Sequence, residues 1–261
     1  MYDDKDYQPT TALLIQLHMV LAIYYWRVGT RDRVANLGEN QSLGRLEKSY
    51  EHYHFTLSRF YSLMHSATLE DLQAVSLILQ HLRSFRKPGA SWFIAKLAMS
   101  MAVELGLHRS SEKSQQARRL NPIEEETRRR VWWCLLTMEV SLSGKLGRPM
   151  GITEADYDTE LPRRVDDEYI TEGGILKPAG VEGCSFDVGI ELFKVVPLYI
   201  EINCHLYAVK RPSRDKYVEL VESLEKRLVQ WRNQVPSTIS QDSEDGNYRF
   251  QAIQLELWFN E

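Results

Sequence analysis

Cysteine is scarce in this chain of 261 residues. Cys134, Cys184 and Cys204 are the three that it contains, and no two of them have a Cys-x-x-Cys spacing. An odd and scattered set does not fit a disulfide framework, which needs paired cysteines at characteristic spacings. It fits free, buried thiols in a reducing compartment instead. We therefore expect an intracellular protein.

The chain also lacks an excess of positive charge. It has 32 Lys and Arg residues against 36 Asp and Glu, a formal net charge of -4. Binding to duplex DNA depends mainly on Lys and Arg that neutralise phosphates, and an acidic chain lacks that contribution. The triplet Arg128–Arg130 follows Glu124–Glu126 at a spacing of four with the acid first, which favours ion pairs within one helix. We therefore predict a solvated, acid-paired helix rather than a DNA contact.

No apolar run is long enough to cross a membrane. The longest extends from Ala12 to Trp26 and is interrupted by Gln16 and His18. A transmembrane helix needs about 20 apolar residues, so this stretch is predicted to be a buried helix. The first residues, Met1–Pro9, are acidic and polar, which does not fit a signal peptide.

Sequence motifs of catalysis are absent as well. We find no glycine-rich phosphate loop, no Gly-x-Ser-x-Gly elbow and no His-Glu-x-x-His. The cluster Asp166-Asp167-Glu168 could suggest a divalent cation, but it has no second matching motif and is interpreted as a solvated charge run. His52-x-His54 is not spaced for a shared metal on a helix, so both histidines are expected in solvent. The sequence therefore predicts no catalytic residue, no metal ligand and no cofactor site in this chain.

What the sequence does contain is helical periodicity. Apolar residues recur three and four apart through most of the chain, and no convincing strand pattern is present. We predict an all-α fold, an irregular bundle of about eight helices with long loops. The predicted helices lie near residues 10–27, 45–65, 69–86, 91–105, 122–143, 186–210, 214–235 and 248–261.

Three local features refine this prediction. The first helix should be buried nearly all round, because Leu14, Ile15, Ile23 and Tyr25 widen a face that consists of Leu13, Leu17, Val20, Leu21 and Tyr24. Gly29–Gly44 and Arg163–Gly183 are expected to be loops. Pro197 should kink or split the sixth helix, and Cys204 is expected in its core face.

The most distinctive stretch is Arg128–Pro162, which we call the corner segment. It starts as a helix with the adjacent pair Trp132-Trp133, whose rings should point about 100° apart, toward different neighbouring helices. Glycines allow the chain to leave the helix, and Pro149 prevents its return. An extended segment with spaced acids follows. Arg148 is predicted to hold Asp156, Asp158 or helix-end carbonyls.

The corner segment resembles the fungal-specific transcription factor domain, the regulatory middle region of zinc binuclear cluster regulators. Two further segments are similar to that family: Ala95–Arg109, an alanine-rich helix ending in Glu-Leu-Gly-Leu-His-Arg, and Leu228–Pro236, with its spaced Leu, Trp and Pro. Glu139-Val140 stands where the family usually has Asp-Arg. The matching positions, which form the predicted structural signature, are Arg129, Arg130, Trp132, Trp133, Gly147, Arg148, Pro149, Asp156, Asp158, Leu161 and Pro162.

The resemblance implies a regulatory domain of a nuclear transcription regulator. It implies control of transcription by RNA polymerase II, with the transcription machinery or co-regulators as partners, self-association, or a small-molecule effector. The family binds DNA through a six-cysteine cluster with two zinc ions, which three scattered cysteines cannot form. We therefore expect residues 1–261 to be a partial domain, from a fragment, a truncated gene or a member without the cluster. Zinc and DNA would then bind only through a module outside this sequence.

Two alternatives remain open from the residues alone. Pockets between helices are common ligand sites, so the same fold could be a small-molecule-binding sensor. The other alternative is a helical magnesium-dependent enzyme that uses Asp166, Asp167 and Glu168.

Overall fold

The computed structural model confirms the all-α class. It describes residues 8–35, 38–65, 67–84, 89–111, 120–176, 184–210, 212–237, 239, 252–253 and 255–259. The chain forms two compact units, Met1–Gly106 and Leu107–Glu261.

The first unit is built from four described helices. They are α1 (Thr11–Val34), α2 (Glu39–Arg59), which continues into a 3-10 turn at Phe60–Met64, α3 (Leu69–Leu82) and α4 (Gly89–Glu104). Helix α1 packs against α2 and α3, and α3 packs against α4. The predicted start of α3 is confirmed, because Thr68 and Asp71 form a reciprocal capping box that satisfies two backbone N–H groups.

The buried face of α1 is narrower than predicted: Ile15 is buried, but Leu17, Val20, Leu21 and Tyr24 are exposed. Ala12, Ile15, Met19 and Ala22 point inward, whereas Leu17 is 48% exposed and Tyr24 is 58% exposed. Close approach of α2 explains why the face that contains Ala22 is buried, because the Ser49 hydroxyl donates to the carbonyl oxygen of Ala22 at 2.7 Å. The small side chains of Ala22 and Ser49 let the two backbones come together at that contact.

Helix α1 is also longer than predicted. It has 24 residues, and by length and composition alone it could cross a membrane. The prediction that the apolar run Ala12–Trp26 belongs to a helix too short to cross a membrane is therefore wrong. Core helices of soluble bundles pass the same test of length and composition, and the contacts of α1 with α2 and α3 are those of a bundle helix.

The predicted loop Gly29–Gly44 is in fact mostly helical. Helix α1 continues to Val34 and α2 begins at Glu39. The two ends are held together by tertiary contacts: Asp32 pairs with Arg45, and the Ser42 hydroxyl donates to Gly29 O at 2.8 Å. Polar residues of low helix propensity are helical here because their side chains bind the neighbouring helix.

The described part of the second unit contains three long helices. They are α5 (Pro122–Lys145), α6 (Asp187–His205) and α7 (Arg214–Gln234), and residues 252–253 and 255–259 are also helical. Between α5 and α6 lie 3-10 turns at Glu154–Asp156 and Asp167–Tyr169 and a two-stranded antiparallel ribbon. The strands are β1 (Ile170–Thr171) and β2 (Gly174–Ile175), in a stretch that was predicted to be a loop without strands.

Two expectations about α6 are tested. Of the two outcomes predicted for Pro197, the split is wrong, because the helix continues through this residue, and the kink stays a prediction. Cys204 is exposed rather than buried, because the core face of α6 ends at Ile200.

Helix α7 contributes two buried residues to the second unit's core, and its half-buried Leu220 and Leu228 pack against that core. Leu224 and Trp231 are buried, and they pack with residues of α6 and with Trp258. Helix α7 begins at Arg214 as predicted, but the side chain of the preceding Ser213 makes no capping hydrogen bond. The predicted start of the last helix at Tyr248 lies outside the described residues.

Candidate functional site

Helix α5 begins and ends as its sequence dictates. The side chain of Asn121 accepts a hydrogen bond from Glu124 N at 2.8 Å, and Pro122 occupies the first helical position, where no N–H is needed. At the other end Gly147 has φ +61°, a conformation that an L side chain rarely adopts. This turn reverses the chain, so the residues after it can return along α5.

Residues 148–167, which we call the return segment, lie antiparallel to α5. In this segment Gly151 donates its N–H to the Glu139 carboxylate at 3.1 Å, near the C-terminal end of the helix. Further on, Trp133 Nε1 donates to Glu160 O at 2.8 Å. Arg163 N then reaches the Glu126 carboxylate at 3.0 Å, near the N-terminal end. Side chains of α5 thus supply hydrogen-bond partners that an irregular segment would otherwise lack.

Arg129 is buried rather than solvated, which corrects the interpretation of the arginine triplet. Arg129 is 4% exposed, and its Nη2 lies 2.7 Å from the Glu125 carboxylate. The same nitrogen lies 3.0 Å from the Ser111 hydroxyl and 3.4 Å from the Glu160 carboxylate. The acid pairing at a spacing of four is confirmed, but the return segment covers the pair and removes it from water.

Arg130 connects α5 to the end of the return segment. Its Nε donates to Glu126 at 3.0 Å, its Nη2 donates to Val165 O at 2.8 Å, and Nη1 pairs with Asp167. Burial lowers the pKa of Arg130, but the hydrogen bonds to Asp167 and Glu126 outweigh burial and raise the pKa above its usual value. The guanidinium therefore remains charged and holds three groups at once.

The two tryptophans share one aromatic neighbour, Tyr157, and each also contacts a ring that the other does not. Trp133 stacks on Phe193 of α6 with ring centroids 5.9 Å apart, as expected of a residue that faces a neighbouring helix. Trp132 is fully buried, and its ring neighbours are His108 at 6.2 Å and Tyr157 at 5.7 Å, which belong to connecting segments rather than to a helix. Burial raises the pKa of Tyr157 to about 12, so its hydroxyl stays neutral.

Asp158 binds the end of the Glu-Leu-Gly-Leu-His-Arg motif. Its N–H donates to His108 O at 3.0 Å, and its carboxylate accepts from Ser110 N at 2.8 Å. Arg109 Nε lies 3.5 Å from the same carboxylate. Two segments that carry the family resemblance are therefore in contact, which spacing in the sequence could not reveal.

The remaining signature residues occupy the turn and the return segment. Asp156 accepts hydrogen bonds from the backbone N–H and hydroxyl of Thr153, which closes a 3-10 turn. Pro162 is buried, Leu161 is half-buried and Pro149 is exposed. The role predicted for Arg148 as a bracket stays a prediction.

Glu139 has a structural role that sequence reasoning missed. It is fully buried and accepts from the Ser143 hydroxyl at 3.0 Å as well as from Gly151 N at 3.1 Å. The adjacent Val140 is 1% exposed, so the position where the family usually carries arginine is apolar here and forms no ion pair. An acid inside an apolar helical run was the available signal.

A second buried acid, Glu191 of α6, connects the return segment to α7. Its carboxylate pairs with Arg164 and with Lys194 Nζ at 2.8 Å, while its backbone oxygen accepts from Trp231 Nε1 at 2.9 Å. Trp231 is the tryptophan of the third similar segment. Sequence reasoning did not identify Glu191, because Arg164 and Trp231 are far away along the chain and a pair such as Glu191–Lys194 is ordinary on a helix.

The candidate metal ligands are engaged in other contacts. Asp167 pairs with Arg130, and Asp166 accepts a hydrogen bond from Ser185 N at 2.8 Å. Within the described ranges, no three His, Cys, Asp or Glu residues are grouped to hold a metal ion. His54 is exposed as predicted, but His52 is half-buried, with its Nδ1 at 3.1 Å from that of His18.

Comparison with known proteins identifies the family. Residues 2–233 match the family described as Fungal specific transcription factor domain. The Positive regulator of purine utilization of Emericella nidulans is 27% identical over 87% of this chain and 27% of its own length. Activator of stress genes 1 of Saccharomyces cerevisiae is 27% identical over 74% of this chain and 20% of its own length.

A third relative, the Negative regulator of pleiotropic drug resistance STB5 of Candida glabrata, is 31% identical over 59% of this chain and 14% of its own length. No solved structure matches. The alignments with the first two relatives span only 27% and 20% of those proteins. Over most of its length, the chain belongs to the family of fungal specific transcription factor domains.

Proposed function

We propose that this chain is the regulatory domain of a nuclear regulator that controls transcription by RNA polymerase II. The observation that carries the proposal is the family match over residues 2–233. Relatives named as regulators of purine utilization, stress genes and drug resistance support it. It is favoured over a magnesium enzyme because Asp166 and Asp167 already have protein partners.

The domain acts through interaction rather than catalysis. Its partners are the transcription machinery, co-regulators or a second copy of the protein. The signature residues support this, because Arg129, Arg130 and Trp133 are engaged in contacts within the fold instead of presenting reactive groups.

DNA binding belongs to a zinc binuclear cluster outside this sequence. The three cysteines present, Cys134, Cys184 and Cys204, are free and separate. Sequencing the full-length transcript tests this part. We expect an upstream six-cysteine frame that is continuous with Met1, and an in-frame stop codon directly upstream would contradict it.

A transcription reporter tests the regulatory function. The chain is fused to a foreign DNA-binding domain, and expression of a reporter with the matching DNA site is compared with that of the DNA-binding domain alone. We expect activation or repression by the fusion at equal nuclear protein levels. Equal reporter output from the fusion and the DNA-binding domain alone would contradict the proposal.

A further inference from the structure

A cavity of about 990 Å³ opens in the second unit beside the turn that ends α5. The C-terminal end of α5, the residues around Gly147, the last turns of α6 and the helical residues near Trp258 form its walls. Ligand pockets of proteins have volumes of roughly 300–1,000 Å³, so this cavity is large enough for a drug-sized organic molecule.

The walls of the cavity are mainly apolar and are held in place. Tyr199 and Trp258 pack edge to face with ring centroids 5.1 Å apart, and the Tyr199 hydroxyl donates to the carbonyl oxygen of Trp258. Asn203 also lines the cavity, and its Nδ2 donates to Tyr199 O at 3.1 Å. Ile202 adds an aliphatic surface. An aromatic or aliphatic ligand would therefore meet a wall that is already formed, which reduces the entropy lost on binding.

The charge of the lining has one sign. Lys145 and Arg148 line the cavity, and none of its described lining residues is Asp or Glu. The chain as a whole is acidic, with a net charge of -4, so two basic and no acidic residues among the described lining are a local property. The end carbonyls of α5 are occupied by the N–H groups of Leu146, Gly147 and Arg148, which reduces their repulsion of an anion.

We propose that this cavity binds a small organic anion, with the apolar body against Tyr199 and Trp258 and the anionic group beside Lys145 and Arg148. Lys and Arg are the side chains that bind carboxylates and sulfonates through charge-assisted hydrogen bonds. That this cavity is the effector site of the domain rests on the proposed regulatory function. The binding of a small organic anion does not depend on that function.

Two fluorescent probes of equal shape test the binding. Anilinonaphthalene sulfonate carries an anionic group, and N-phenyl-1-naphthylamine is the same aromatic body without it. We expect saturable binding of both to the folded chain. Lys145→Gln should weaken the sulfonate about tenfold, the effect of losing one charge-assisted hydrogen bond, and leave the neutral probe unchanged. Lys226→Gln, which alters an exposed lysine of α7 outside the lining, should change neither.

The position of the site is tested by filling it. Ala208→Trp places a large side chain in the lining and should abolish binding of both probes, whereas Ala155→Trp, at an exposed alanine outside the cavity, should not. If Ala208→Trp does not fold, alkylation of the exposed Cys204 with N-ethylmaleimide adds a group inside the same cavity in the natural sequence. Bound sulfonate should also slow that alkylation.

Several results would overturn the proposal. One is the absence of saturable binding, and another is binding that persists in both the folded Ala208→Trp variant and the alkylated chain. Equal affinity of Lys145→Gln and the natural chain for the sulfonate would refute the role of charge. In the reporter, we expect Ala208→Trp to alter output relative to Ala155→Trp. A silent reporter with intact probe binding would refute the regulatory function alone.

Discussion

Glu126 connects α5 to the return segment through a carboxylate that is almost inaccessible to water. Glu126 is 2% exposed, and its Oε1 accepts hydrogen bonds from both Arg130 Nε and Arg163 N at 3.0 Å. Glu126→Ala leaves Arg130 half-buried without one of its acids, so we expect a loss of about 3 kcal/mol in the free energy of unfolding. Urea titration measures it. Glu222→Ala, at an exposed acid of α7, should change stability by less than about 0.5 kcal/mol, and equal effects of the two substitutions would contradict the assignment.

Trp133 and Tyr157 are neighbouring aromatic residues with unequal polar contacts. The Trp133 Nε1–H donates to Glu160 O at 2.8 Å, whereas the Tyr157 hydroxyl has no hydrogen-bond partner in the described part of the chain. We expect Trp133→Phe to cost about 2 kcal/mol, because it removes the donor to the half-buried Glu160 carbonyl and leaves a gap in the packing. Tyr157→Phe should cost less than about 0.5 kcal/mol. Thermal unfolding of both variants checks the order, and a larger loss for Tyr157→Phe would contradict it.

His81 makes the first unit sensitive to acid. It is 1% exposed, and burial lowers its pKa from 6.5 to about 4. Between these values the unfolded chain binds a proton that the folded chain does not, so stability falls as pH falls through this window. The contribution reaches at most about 1.4 kcal/mol per pH unit.

Unfolding by urea at pH 7 and at pH 5 measures the His81 effect. His81→Gln should flatten the dependence on pH, whereas His65→Gln, at an exposed histidine, should not. Part of the slope should remain, because burial, together with the charges of His52 and Arg59, also lowers the pKa of His18. An unchanged slope in His81→Gln would contradict the account.

At the scale of elements, the end of α5 depends on the backbone of one glycine. Gly147 has φ +61°, and an added Cβ there would meet no atom within 4 Å, so strain in Gly147→Ala would come from the backbone alone. We expect it to cost about 1–2 kcal/mol. Gly144 is helical, and its added Cβ would lie 3.5 Å from Asn203 Nδ2, an ordinary contact. Gly144→Ala should therefore stabilise the protein by about 0.5–1 kcal/mol. Urea unfolding midpoints of both variants, compared with that of the natural sequence, measure these effects. Midpoints of Gly147→Ala and Gly144→Ala that move in the same direction would refute the predicted difference.

Element boundaries were predictable where their signals are local. The cap at Asn121, the capping box at Thr68 and the turn at Gly147 depend on residues close together in sequence. The face of α1 and the helical ends at Val34 and Glu39 were not predictable, because they depend on contacts such as Asp32–Arg45 between helices.

At the scale of the whole molecule, motif order identified the family but not the contacts that hold the motifs together. Asp158 joins the corner segment to His108–Ser110, and Glu191 joins Arg164 to Trp231. Both acids act across 26 or more positions of sequence, where periodicity carries no information. The burial of Arg129 was missed for the same reason, since the return segment that covers it follows a turn.

The central claim is that the protein that contains this chain regulates transcription through it. The most direct measurement is nascent RNA after rapid depletion of the full-length protein in the organism that encodes it, together with rescue by the natural sequence, Glu126→Ala or Glu222→Ala. We predict a prompt change at a defined set of genes, which the natural sequence and Glu222→Ala restore and Glu126→Ala does not. No change in nascent RNA on depletion, or equal rescue by Glu126→Ala at equal protein level, would contradict the claim.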